Sequence, residues 1–201
     1  MDLLQVQNNL KARGFDCRVF STGADAVRYL NETLDGTSVA FGGSQTAAQL
    51  DLPAVLGTHN TVIHHWTIPA GKTRGEVLAA AAVTDVYITS ANGVSVQGDL
   101  VNIDGAGNRV SSTYFGHKKV YFIVGIQKFE DTLEKAIWRA RNIASPKNAQ
   151  RLHRKTPCAI KADRCYDCNS PERICNGLSI HYRSLHSAKT EVVIVGEPLG
   201  Y

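Results

Sequence analysis

The sequence predicts an α/β fold with a mainly parallel sheet flanked by helices, and three observations carry that expectation. Apolar runs of strand length alternate with stretches whose apolar residues recur at helical spacing. Several of the strand-like runs, among them Val120-Tyr121-Phe122-Ile123-Val124 and Val192 to Val195, are apolar throughout, as strands covered on both faces are. The runs at Phe41 and Ile88 pass directly into glycine or small polar residues, which is how ligand-facing strand ends look.

Taken in order, Leu3, Val6 and Leu10 fall on one helical face and Gly14 stops the pattern, after which Phe15, Cys17 and Val19 alternate as a strand. Ser21 or Thr22 can cap a second helix carrying Ala26, Val27, Leu30 and Leu34, and Asp35-Gly36 turns the chain into a strand over Thr37–Phe41. Gly42-Gly43-Ser44-Gln45-Thr46 then leads to a short helix with Ala47, Ala48 and Leu50; strand, glycine turn and helix is an anion-binding geometry. Thr61-Val62-Ile63-His64-His65 reads as another strand, and Glu76 to Val83 as an alanine-rich helix. The stretch from Thr84 to Arg109 organises the rest. A short strand around Val86 and Ile88 gives way to Ser90-Ala91-Asn92-Gly93, small polar residues not expected to pack a core. Gly98-Asp99 is a turn pair, Leu100–Ile103 a second strand, and Asp104-Gly105-Ala106-Gly107-Asn108 permits close backbone approach. Lys119–Val124 is a strand ended by Gly125, placed centrally in the sheet. Phe129, Leu133, Ile137 and Ala140 share a helix face, with Glu130 and Asp131 at its start and Arg139 and Arg141 at its end. Ser145-Pro146 reads as the cap and first residue of another short helix carrying Ala149 and Leu152. Thr190 to Glu197 returns to the sheet, so the cysteine-rich segment before it is expected to be an insertion.

A chain of 201 residues that is 43% hydrophobic suffices for one domain with a sizeable core. A net charge of +4 creates no global field that demands nucleic acid or a membrane surface. The charge is local: eight Lys and Arg fall between Arg139 and Arg164 with Asp163 as the only acid, an excess expected to face water or an anion. No apolar run is long enough to span a bilayer, and Met1-Asp2-Leu3-Leu4-Gln5 lacks the regions of a signal peptide, so the expected location is the cytoplasm, with no membrane partner. There, clustered cysteines point to metal before disulfides.

Cys158, Cys165, Cys168 and Cys175 form a C-x6-C-x2-C-x6-C pattern, the most specific chemical signal in the chain. Thiolates are soft ligands, and four of them suit tetrahedral zinc or an iron–sulfur cluster; the spacing does not choose between these. Unligated buried cysteines, or a redox dithiol on Cys165 and Cys168, are the competing readings. Cys17, alone in a strand, reads as core. Gly42, Gly43 and Ser44 can hold an anion with backbone N–H groups or simply form a tight turn. His64-His65, beside Trp66, is the candidate acid–base pair against a structural role, with Asp104 as the candidate carboxylate. His117, in Gly116-His117-Lys118, is expected in a solvated turn. The basic run can be a wet helix face or a dock for an acidic partner. It lacks interleaved aromatics apart from Tyr166, which argues against nucleic acid and leaves a zinc-stabilised nucleic-acid or protein-binding module as the third functional reading.

Ile88-Thr89-Ser90-Ala91-Asn92, Gly98-Asp99-Leu100-Val101-Asn102-Ile103-Asp104-Gly105, Gly107-Asn108-Arg109 and Lys118-Lys119-Val120 together resemble the LUD domain, the family of lactate-utilisation protein C. Phe41-Gly42-Gly43-Ser44 with Thr46 is similar to the family's glycine turn, Thr156-Pro157-Cys158 to Arg173-Ile174-Cys175-Asn176 to the cysteine segment of a subset, and Gly196-Glu197-Pro198-Leu199-Gly200-Tyr201 to its usual ending. The resemblance implies one LUD domain over 1–201 with 156–178 as a metal-binding segment. It also implies a Rossmann-like sheet, as in the superfamily of ribose-5-phosphate isomerase, glucosamine-phosphate deaminase and coenzyme A transferases. Related sugar-phosphate isomerases carry Gly-Ala-Asp followed by Asn-Gly where this chain has Ser90-Ala91-Asn92-Gly93, so the acid that moves a proton there is an amide here. The family's role is oxidation of L-lactate to pyruvate beside redox partner proteins that carry iron–sulfur clusters. The leading expectation is therefore an anionic metabolite bound over Gly42, Gly43, Ser44 and Thr46, over Ser90 and Asn92, and over Asp104, Gly105, Gly107 and Asn108. A metal centre would sit on the four cysteines, in the service of lactate or related organic-acid use. The alternative is an isomerase or acyl-transfer enzyme of the superfamily.

Overall fold

The computed structural model describes residues 1–201. Its elements are α1 (Leu3–Ala12), β1 (Asp16–Phe20), α2 (Gly23–Thr33), β2 (Ser38–Phe41), α3 (Gln45–Gln49), α4 (Leu52–Leu56), β3 (Thr61–His64), α5 (Arg74–Ala81), β4 (Val86–Thr89), β5 (Gly93–Ser95), β6 (Leu100–Asp104), α6 (Asn108–Tyr114), β7 (Lys119–Gly125), β8 (Phe129–Glu130), α7 (Leu133–Arg139), α8 (Ser145–Arg151), α9 (Pro157–Lys161), β9 (Gly177–His181) and β10 (Lys189–Val195). Six strands form one sheet in the order β1-β10-β7-β4-β2-β3, every neighbouring pair parallel. The expected α/β architecture with a mainly parallel sheet is thus present, with β7 well inside it.

The apolar strands are buried on both faces, which is why they do not alternate. Tyr121 and Ile123 of β7 pack with Val39, Phe41, Leu30, Leu52 and Leu56 on one side; Val120, Phe122 and Val124 pack with Leu10, Phe15, Cys17 and Leu100 on the other. Cys17 is core, as its strand position implied. Caps define the helices as their chemistry requires. Thr22 accepts from Asp25 N, and Thr73 with Glu76 forms a capping box that starts α5 at Arg74.

A second sheet was not legible in the sequence. It runs β8-β5-β6-β9, with β5 parallel to β8 and β6 antiparallel to both β5 and β9. Three expectations are corrected here. Ser90 and Ala91 are buried, and Gly93 begins β5; a Cβ there would sit 2.5 Å from the carbonyl oxygen of Ala136, so only glycine admits this approach of β5 to α7. Phe129 lies in β8 and not on the helix face, because Thr132 accepts from Lys135 N and caps α7 after it. Ser145 is no cap: α7 runs through a π-helical segment, Ala140–Ala144, into α8, and Ser145 Oγ donates back to Ala140 O. His117 is also corrected. It is buried, stacked on Tyr87 at 5.0 Å, with Nδ1 2.8 Å from Thr84 O, and burial lowers its pKa. No helix is long and apolar enough to cross a membrane.

Candidate functional site

Because β7, β4 and β2 are neighbours running the same way, their carboxyl ends deliver Gly125–Lys128, Ser90–Asn92 and Gly42–Ser44 to one place. A small polar recess opens there. Gly43, Ser44, Thr89, Ser90, Asn92, Lys128 and Tyr201 line it, and no Asp or Glu side chain does.

Lys128 dominates the chemistry. It ends a 3₁₀ turn, Ile126–Lys128, that leaves β7 at Gly125, and its side chain is buried. Its Nζ donates to Thr46 Oγ1 and to Ser90 Oγ, both at 2.9 Å. Burial pushes its pKa down from 10.5 to about 7, and the nearby Arg139 and Arg109 guanidinium groups push the same way. Each of those arginines has an acid in reach, Asp104 at 3.6 Å from Arg109 and Glu130 at 3.9 Å from Arg139. Lys128 has only hydroxyls. Arg139 was expected on a wet helix end; it is buried, donating to the main-chain oxygens of Gln127, Asn92 and Tyr201. Segment 199–201 straps the amine in place. Thr46 Oγ1 donates to Leu199 O, and a Cβ on Gly200 would lie 2.9 Å from Lys128 Nζ.

Asn92 and Asp104 act within this framework. Asn92 Oδ1 accepts from Ile103 N and from Arg109, tying β6 to the strand end. Asp104 Oδ1 accepts from Ala106 N and Gly107 N, and Oδ2 from Val110 N, so the carboxylate holds the turn Gly105–Gly107 in shape for Asn108 to start α6. Gly105 and Asn108 line a second recess with His65, Trp66, Arg151 and Arg154, contiguous with the first through Gly43, Arg109 and Asn148. The arginines Arg74 and Arg151 approach opposite Trp66 at 5.7 and 5.6 Å. The two histidines part company. His65 faces this outer recess, whereas His64 lines a different hollow with Val62, Pro69 and Val77. Burial lowers the pKa of both, so both rings are neutral at pH 7.

Cys158 lies on α9, Cys165 and Cys168 in the following loop, and Cys175 just before β9. All four are half-buried free thiols. Asp167 N donates to Cys165 Sγ at 3.3 Å. Burial raises the Cys175 thiol pKa, Arg173 opposes this, and the Cys165 and Cys158 thiols raise it further, which places these sulfurs within electrostatic range of one another. No three His, Cys, Asp or Glu side chains are gathered as a formed metal centre would hold them. The donor chemistry, four soft sulfurs with a backbone N–H aimed at one, suits a thiophilic metal; the arrangement is not that of a closed site.

Lys128, Arg139, Thr89 and Tyr201 were not expected in the site. One signal was available for Lys128, since a lysine three residues after the glycine that ends a central parallel strand lies where such sheets bind ligands.

The family model described as LUD domain matches residues 3–195. No curated protein matches the chain. A solved structure described as a DUF162 family protein from Deinococcus radiodurans shares the fold, with a TM-score of 0.53 at 11% identity over 96% of each chain.

Proposed function

The chain belongs to the LUD-domain family, and on that premise we propose that it is a cytoplasmic protein of lactate or related organic-acid use, binding a small anionic metabolite over the ends of β2, β4 and β7. The observation that carries this reading is the buried Lys128 amine, which faces a polar recess lined by no Asp or Glu side chain and with two further cations close by. Burying that positive charge is costly, and a bound carboxylate offsets the cost. The four cysteines would hold zinc or an iron–sulfur cluster, the first a clip for the loop, the second a means of passing electrons to redox partner proteins.

Thermal shift tests the ligand class. L-lactate or pyruvate at millimolar concentration is expected to raise the melting temperature, and coenzyme A and ribose 5-phosphate serve as comparison. If only the phosphosugar stabilises, the substrate class is wrong. That outcome would favour the second reading, a sugar-phosphate isomerase, for which the arginines Arg74, Arg151 and Arg154 of the outer recess speak. Metal content and the visible spectrum of anaerobically purified protein, beside Cys165→Ser/Cys168→Ser, decide the centre. Metal bound equally by wild type and variant would remove the cysteines from the proposal.

A further inference from the structure

We propose that Lys128 is a covalent nucleophile, whose amine adds to the carbonyl carbon of a small 2-oxo acid seated in the inner recess and condenses with it to a protonated imine. This rests on the recess being an anion site, and it names the substrate class: an oxo acid, the oxidised partner of a hydroxy acid such as lactate.

The argument starts from the contrast among three buried cations. Arg109 and Arg139 each have an acid within 4 Å and donate to fixed main-chain oxygens, Arg109 also to the side-chain amide oxygens of Asn92 and Asn102. Lys128 has neither. Its two partners are the hydroxyls of Thr46 and Ser90, and each of these has an acceptor of its own, Leu199 O and Ala91 O. A hydroxyl can accept from a protonated amine and equally donate to a neutral one, so this cradle suits both protonation states. A lysine kept for fixed charge gains from an acid beside it. One used as a nucleophile is desolvated and set beside other cations, so that its lone pair is free near neutral pH. Lys128 has that second environment, with a pKa of about 7.

The step balances without a redox partner. The nitrogen lone pair forms the C–N bond while the carbonyl π pair moves to oxygen. One N–H proton and one proton from solvent turn that oxygen into water, which leaves as the C–O bond breaks, and the nitrogen keeps its remaining hydrogen and a positive charge. Ser90 and Thr46 touch the amine and can relay the proton that leaves it. The imine places positive charge where the amine already met the cost of burial, and the substrate carboxylate neutralises it.

The test is reductive trapping on the full chain. Protein incubated with pyruvate and borohydride is digested, and the adducts are assigned by peptide mass spectrometry. Expected is one reduced adduct per chain, on Lys128, absent without pyruvate, with a yield that rises between pH 6 and 8. Site assignment needs no variant; Lys128→Arg, which has no nucleophilic amine, should abolish the adduct. Three results overturn the proposal: adducts on exposed lysines alone, an adduct that persists in Lys128→Arg, or no adduct while pyruvate still raises the melting temperature. In the last case the anion reading stands and only the nucleophile fails. If neither adduct nor shift appears with L-lactate or pyruvate, the anion reading itself falls.

Discussion

Replacing Lys128 by methionine should make the protein more stable at neutral pH while disabling its site. The amine's pKa is 10.5 when solvated and about 7 in the fold, so between those values the unfolded chain binds more protons than the native one. Wild-type stability therefore rises with pH across that window, and below pH 7 the full penalty applies. At about 1.4 kcal/mol per tenfold step, the charged amine costs the native state roughly 4 kcal/mol at pH 7 and roughly 2 kcal/mol at pH 9. Methionine keeps the length and gives up two hydrogen bonds to hydroxyls, about 1 kcal/mol each. Lys128→Met should thus be about 2 kcal/mol more stable than wild type at pH 7, and the two should converge near pH 9. For a chain of this size that is about 4–8 °C in melting temperature. Urea unfolding of both proteins from pH 6 to pH 9.5 reads this directly, with pyruvate-induced stabilisation expected in the wild type alone. A variant less stable than wild type at pH 7, or a difference that does not change with pH, would refute the reasoning, since either means that the native fold already compensates the charge.

Other substitutions probe the frame around that amine. Gly93→Ala forces a Cβ to 2.5 Å from Ala136 O, and chemical denaturation should show a loss of about 2–4 kcal/mol as β5 and α7 separate; a loss under about 0.5 kcal/mol would mean that the two elements part freely. In Gly200→Ala, a φ of +72° and contacts of 2.5 Å to Thr46 Oγ1 and 2.9 Å to Lys128 Nζ combine, so stability should fall by about 1–2 kcal/mol and the pyruvate shift should shrink. An unchanged shift would separate the strap from the site. Asp104→Asn leaves one oxygen for the three N–H groups of Ala106, Gly107 and Val110, and the melting temperature should drop with about 1–2 kcal/mol of stability. Full stability with altered ligand response would instead make Asp104 a group of the site itself.

Much of the fold was legible along the chain because its signals are local. The apolar runs of β2, β4, β7 and β10 are long enough and uniform enough to mark strands covered on both faces, and Thr22 and the glycine turns announce a helix start and chain reversals within three or four residues. The glycine turn Gly42–Ser44 and the strand end at Ser90 belong to the same recess, as their common position after parallel strands implied. The strands β5, β8 and β9 escaped notice for the opposite reason. They are two to five residues long, and their pairing depends on partners elsewhere in the chain.

The sequence by itself determined the strands of the parallel sheet, the family and the set of cysteines available to a metal, since each is written in neighbouring residues. Only the tertiary structure decided which charged groups leave water. Lys128 and Arg139 look in sequence like other solvated cations; they are buried because β7, α3, α7 and the segment from Leu199 to Tyr201 converge on them from distant parts of the chain. A charge acquires unusual chemistry through the loss of its hydration and the identity of its nearest partners, and both are fixed by contacts between residues remote in sequence.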